Sequence, residues 1–305
     1  MRRVDCIAAL CAGFFVSQVL AQAVPARPGY GDVLATAKPA DWRGVDVENT
    51  LYLDLPAGRV VIELAPAFAP RHAENIKALA REKYFDGLAV IRSHDNYVAQ
   101  WGDPDEKNPR AVKSAKSKLA AEYSMRFKDA KDLPPFARLR DVDGYAPEVG
   151  HSNGFPSARD PKTNEAWLTH CYAMVGVGRG TEDDSGSGMS LYAVTGHAPR
   201  HLDRNITVVG RVVQGIQHLS ALPRGTGALG FYEKAEQRVP IKSVRVAADV
   251  PPAERTNVEV IRTDTPLFAA LTEALRNRPG PWFKVPAGHV ELCNVNIATR
   301  IAPAR

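Results

Sequence analysis

Arg92, Tyr97 and Gln100 put a cation, an aromatic ring and an amide within nine residues, and Trp101-Gly102-Asp103-Pro104 follows directly. Arginine stays charged and carries five N–H donors in a fixed fork. Glutamine offers both a carbonyl and an NH2 group. No general base is obvious beside them. The set suits a site that orients and polarises an amide without breaking a bond. The same residues also admit a structural reading, with Arg92 in an ion pair and Tyr97 in a core.

Other chemistries find less support. The eight histidines are dispersed, without HExxH or H-x-H, and no CxxC occurs. His197 and His201 are separated by Pro199, which spoils a helical ligand pair. Gly176-Val177-Gly178-Arg179-Gly180 lacks the G-x-G-x-x-G spacing and a following helix, so a dinucleotide site is rejected. Ser187 lacks the flanks of a nucleophile elbow, and Glu182-Asp183-Asp184 reads as a solvated loop. No metal or cofactor is expected.

The 305 residues carry Lys+Arg 39 against Asp+Glu 34, a net +5, with 45% hydrophobic and 24% charged residues. This is ordinary globular composition, which excludes a disordered chain or a disulfide-dense miniprotein. The charge is mild and scattered, with no basic run interleaved with aromatics, so nucleic acid is not an expected partner.

Two apolar runs, Leu51–Leu55 and Val60–Leu64, flank Pro56-Ala57-Gly58 and predict a hairpin. Pro70 suits the first turn of a helix that carries His72, Ile76 and Leu79 on one face and ends near Lys83. Residues 88–103 predict two strand pieces divided by Ser93-His94-Asp95-Asn96, so that Arg92 and Gln100 fall on neighbouring pieces. Residues 105–165 are charged and turn-rich; they read as an insertion of loops with one helix near 113–123. Strands are expected at 170–175, 191–194, 206–213 and 240–246, with a short helix over 214–222. Thr265-Pro266 starts a helix with Leu267, Leu271, Ala274 and Leu275 on one face, stopped by Pro279-Gly280, and 282–299 adds a strand.

Arg2 and Arg3, an apolar run over 6–16 and Ala21-Gln22-Ala23 predict a secretory signal peptide over 1–23, cleaved after Ala23. The mature chain, 24–305, would then be periplasmic, a monomer with no membrane anchor. Residues 24–48 read as a flexible lead-in, 49–248 as the main domain and 249–305 as a C-terminal extension. After cleavage only Cys171 and Cys293 remain. In an oxidising compartment an even pair suggests one disulfide; two buried thiols are the alternative.

Tyr84-Phe85-Asp86-Gly87-Leu88-Ala89-Val90-Ile91-Arg92, continued to Tyr97-Val98-Ala99-Gln100-Trp101-Gly102-Asp103-Pro104, resembles the cyclophilins, a class of peptidyl-prolyl cis-trans isomerases. The family pattern there is Y-Y-D-G-x-x-F-H-R, an F five residues on, a hydrophobic pair and Q-G-G-D-P. Leu202-Asp203 and Thr207-Val208-Val209-Gly210-Arg211-Val212 resemble a second family block. The resemblance covers roughly 50–247 apart from the insertion. It implies a mainly β fold, a closed antiparallel barrel with two flanking helices, here with the insertion and a helix-and-strand extension added. It implies a catalytic role for Arg92 and Gln100. It implies substrate contacts for Tyr97, Val98, Tyr192, His201 and Leu202, and for Gly178 and Arg179 along the groove. His201 stands where a tryptophan linked to cyclosporin is usual, Ile91 replaces a histidine, and Ile206 replaces a pocket histidine. The implied activity is isomerisation of X–Pro bonds in exported polypeptides, without a cofactor. The alternative is a proline-peptide-binding or chaperone module on the same fold.

Overall fold

The computed structural model describes residues 27–105, 107–132 and 134–303, so the expected signal segment lies outside the described residues. Helix α1 (Tyr30–Ala35) and strand β1 (Trp42–Gly44) come first, then β2 (Thr50–Leu55) and β3 (Gly58–Leu64). Helix α2 (Pro70–Arg81) precedes β4 (Ala89–Ser93) and β5 (Val98–Gly102). Five short strands follow, β6 (Met125–Arg126), β7 (Ala137–Leu139), β8 (Glu148–Ser152), β9 (Phe155–Asp160) and β10 (Glu165–Leu168). Next come β11 (Met174–Val177), β12 (Leu191–Val194), β13 (Val208–Gln214), α3 (Gln217–Ser220), β14 (Val239–Pro240) and β15 (Ser243–Val246). The chain ends with β16 (Val258–Ile261), α4 (Pro266–Arg276) and β17 (Thr299–Ile301).

Nine strands make one curled antiparallel sheet in the order β14-β4-β5-β12-β11-β13-β3-β2-β15. Its edge strands are neighbours in sequence. Ile241 N–H donates to the Leu88 carbonyl beside one edge, and Lys242 N–H donates to the Asp54 carbonyl on the other. The barrel expected from the sequence is therefore a curled sheet whose edges are bridged by residues 240–243 rather than by a ladder. Leu51, Leu53, Ile62, Val90, Trp101, Val175 and Val209 fill its interior together with Ile76 and Leu79 of α2. β2 and β3 read as nearly continuous apolar runs because both faces are covered: Tyr52 and Val61 pack outward against Val258 and Val260 of β16.

The accessory segments are more ordered than their composition suggests. The expected flexible lead-in carries α1, and β1 within it pairs antiparallel with β16. The insertion holds a second sheet, β6-β10-β9-β8-β7, rather than loops around a helix. Asn153 and Gly154, both at positive φ, make the two-residue turn between β8 and β9. No helix forms over 113–123, because side chains of α2 and its C-terminal cap occupy the backbone there. Glu82 accepts from the N–H groups of Lys113, Ser114 and Ala115, and Asn75 both accepts from Lys116 N–H and donates to its carbonyl. A second core joins Val33 of α1, Leu139 and Phe155 of the insertion, Trp167 of β10, and Phe268, Leu271 and Leu275 of α4. The predicted C-terminal helix is α4; the predicted strand at 282–299 is instead a short turn, Leu292–Asn294, with β17 following. Cys171 and Cys293 form a disulfide that ties this extension to the start of β11.

Candidate active site

Three strands present the candidate residues on one face of the curled sheet. Arg92 lies opposite Gln100 in the β4–β5 ladder, and Gln100 lies opposite Tyr192 in β5–β12. Directly opposed residues share a face. A register shift between Val90 and Arg92 makes Ile91 the extra residue of a bulge, turning Arg92 out of the alternation that buries Val90. One step along, Val98 lies opposite Val194, and the two form with Tyr192 a small buried apolar floor. Tyr97 and Ile206 pack against that floor.

Arg92 is half-buried and held by neutral partners. Its Nε donates to the Leu229 carbonyl at 2.6 Å and its Nη1 to Gln100 Oε1 at 3.1 Å; its Nη2 lies 3.0 Å from His94 Nδ1. The guanidinium also lies 5.7 Å from the centroid of the Tyr97 ring and 5.2 Å from that of Phe231. Among the described residues no carboxylate forms an ion pair with it, so the ion-pair reading of Arg92 does not hold. Burial lowers its pKa from the ordinary arginine value, opposed by Tyr97 and Tyr192, and the group stays cationic near neutrality. Three of its five N–H donors are engaged, which leaves one on each terminal nitrogen.

Gln100 is itself fixed, donating from Nε2 to Ser190 Oγ at 3.0 Å. This settles its amide orientation: the carbonyl faces Arg92. Gly178 leaves room for the pair, since a Cβ there would stand 2.7 Å from Ser190 Oγ and 2.9 Å from Gln100 Nε2. The Tyr192 hydroxyl turns inward, away from Arg92, and donates to His170 Nε2 at 2.8 Å. His170 Nδ1 is taken by Asp203 at 2.9 Å, so its Nε2 is the acceptor. Burial raises the Tyr192 pKa well above the ordinary phenol value.

Other expected groove residues sit further out. Leu202, half-buried, and His201, exposed, lie on the turn Arg200–Leu202, linked to the floor through Ile206, whose N–H donates to the Leu202 carbonyl. Arg179 is committed elsewhere, donating to the carbonyls of Asn205, Gly180 and Thr181. His94, Ser190, Leu229 and Phe231 escaped the sequence reading. Only His94 is close in sequence to Arg92, and its type was the one available signal. Cavities of about 750, 660, 610 and 410 Å3 are lined by the accessory segments and their borders with the curled sheet; Arg92 lines none of these four. Among the described residues no cluster of His, Cys, Asp or Glu is placed to hold a metal ion.

The family model described as cyclophilin type peptidyl-prolyl cis-trans isomerase/CLD matches residues 50–246, well over half of the chain. The chain belongs to the cyclophilin family. A probable peptidyl-prolyl cis-trans isomerase of Brucella suis is 45% identical over 58 residues, 19% of this chain and 30% of the relative. Peptidyl-prolyl cis-trans isomerase ppi1 of Schizosaccharomyces pombe is 38% identical over 52 residues, 17% of this chain and 34% of the relative. This cyclophilin thus aligns with only about a third of the length of the curated relatives it matches. The crystal structure of a cyclophilin from Hirschia baltica shares the fold, with a TM-score of 0.66 at 24% identity, over 90% of this chain and 98% of that one. That likeness spans more of the chain than residues 50–246 alone.

Proposed function

We propose that this cyclophilin catalyses cis-trans isomerisation of X–Pro bonds in polypeptides. Amide resonance sets a barrier of about 18–20 kcal/mol to that rotation. The twisted transition state has lost the resonance, so its nitrogen is pyramidal and accepts a hydrogen bond that the planar ground state does not. A donor aimed at it stabilises the twisted state selectively, which is the condition for catalysis. The observation that supports this reading is Arg92: half-buried, held by neutral partners on three sides, with one N–H left on each terminal nitrogen. One can hold the substrate carbonyl while the other meets the developing lone pair. The floor of Val98, Tyr192 and Val194, walled by Tyr97 and Ile206, offers an apolar seat for the proline ring.

The site of action we propose is the periplasm, on exported chains, from the signal-like segment 1–23. N-terminal sequencing of the recovered protein should begin at Val24. The activity test is exchange NMR on a proline tetrapeptide with protein starting at Val24, beside Arg92→Ala. The expected result is exchange accelerated by the native protein and kcat/KM at least tenfold lower in the variant, corresponding to about 1.4 kcal/mol or more of lost directed interaction. Peptide binding without acceleration would instead support the binding-module reading. Neither binding nor acceleration defeats both.

A further inference from the structure

His94 stands two residues beyond Arg92, with Nδ1 3.0 Å from Arg92 Nη2. Arginine can only donate, so Nδ1 must be the acceptor and carry no proton; any ring proton sits on Nε2. The ring is fixed in place. It lies edge-on to Tyr97, with centroids 5.2 Å apart. Gly230 closes over its backbone so tightly that a Cβ there would come within 2.5 Å of His94 Cα. The segment that carries Gly230 is sewn to β4 by Gly225 N–H to the Ser93 carbonyl and Tyr232 N–H to the Ile91 carbonyl. It also supplies the Leu229 carbonyl on Arg92 Nε, with Leu229 at φ 54, a left-handed conformation unusual for leucine. Arg92 thus has a rigid carbonyl on one edge and a titratable acceptor on another.

We propose that neutral His94 is a positioning residue that aims the Arg92 fork, so that protonation of His94 misaligns Arg92 and slows catalysis in acid. The inference rests on the isomerase reading and adds a regulating group to its site. A protonated Nδ1 becomes a donor, and two donors then face each other across the same gap, joined by like-charge repulsion.

On balance the groups facing His94 favour its neutral form. From β4 comes the Arg92 charge. From the break before β5 come the Tyr97 ring and the Asp95 carboxylate, the latter drawn off by Arg224 at 3.0 Å. The 225–231 segment brings backbone and no charge against it. Burial, then the Arg92 charge, lower the His94 pKa below the ordinary histidine value, and Asp95 only partly opposes them. Near neutrality the ring is therefore unprotonated, and the switch falls on the acid side of the usual imidazole range.

The test is kcat/KM by exchange NMR on the protein starting at Val24, from pH 8 down through the titration of the His94 imidazole resonance. The native rate should fall with a single-proton slope as the His94 imidazole titrates, towards a floor about tenfold below the neutral rate, as one hydrogen bond to a charged group is lost. His94→Ala should show the lowered rate already at pH 8 and no acid limb. His94→Asn, whose Oδ1 can accept in place of Nδ1 and does not titrate, should recover most of the neutral rate and stay flat over the same range. A native rate that stays constant while the His94 imidazole resonance titrates, or His94→Ala equal to native at pH 8, overturns the proposal while leaving the isomerase reading intact. Absence of activity at every pH removes the isomerase reading and this proposal together. Independently of turnover, the imidazole resonance of His94 should titrate at higher pH in Arg92→Ala than in the native protein. An unchanged midpoint also overturns it.

Discussion

Replacing Arg92 by lysine separates charge from geometry. The native guanidinium contacts Leu229 O, Gln100 Oε1 and His94 Nδ1 at 2.6, 3.1 and 3.0 Å from three different nitrogens, and a donor remains on each terminal nitrogen. Lysine gathers three donors on one nitrogen at the end of a flexible stem. Its ammonium can stay with these three acceptors or reach a substrate, but not both in the native geometry. The directed bond lost in the transition state is one to a charged donor, about 1.5–3 kcal/mol, which converts to roughly a 10- to 150-fold fall in rate. The fall should sit in kcat more than KM, because a planar amide nitrogen offers no lone pair to bind in the ground state. Stability should barely move, since the Leu229 carbonyl lies in an exposed segment that water can reach. The assay is exchange NMR over a range of peptide concentrations at pH 8, with thermal melts of both proteins. A lysine variant within twofold of native, or a loss confined to KM with kcat intact, would refute the directed-donor mechanism and leave Arg92 as a diffuse charge.

Tyr192→Phe removes the hydroxyl that His170 Nε2 accepts from, leaving a buried acceptor unpaired. It should cost about 1–3 kcal/mol in urea melts with little change in kcat/KM, whereas a large kinetic loss would put the hydroxyl in the reaction. Burial alone would raise the Glu122 pKa, but hydrogen bonds from His72 and Arg71 outweigh it and hold the carboxyl at about 2. The folded pKa being depressed, the stabilisation is present above about pH 4.5 and is lost as pH falls towards 2. Glu122→Gln should therefore cost about 3 kcal/mol near pH 6, and the gap to native should narrow by pH 3; a constant gap would mean that ionisation of Glu122 does not hold the insertion on α2. The Cys171–Cys293 bond closes a separation of 122 residues. Reduction or Cys293→Ala should cost about 5 kcal/mol in the chain-entropy model, and denatured, unreduced protein from Val24 should show no free thiol by titration.

The curled sheet was largely legible because its signals are local. Apolar runs around Pro56-Ala57-Gly58, Pro70 at a helix start and the polar break at 93–96 each specify a turn or an end by their own chemistry. The insertion sheet was not legible, because β8 and β9 bury Gly150, His151, Ser152 and Ser157 and so show no apolar alternation. His151 is inside because Phe268 of α4 lies edge-on against its ring, and Ser157 and Ser152 are inside hydrogen-bonded to each other. The expected helix near 113–123 failed for a related reason: Glu82 and Asn75, remote in sequence, supply the backbone partners that a helix would have supplied itself.

At the site, sequence alone put Arg92 and Gln100 on adjacent strands, since a short hairpin fixes which residues face one another. The sequence also identified the pair of cysteines free to bridge. What it left undetermined is what surrounds the guanidinium. The Leu229 carbonyl arrives from 137 residues away and Ser190 from 90 residues beyond Gln100. Only the curling of the sheet brings such distant backbone to one face. Even the nearby His94 acquires its role there, because its ring is held against Arg92 by a segment whose position no local pattern encodes.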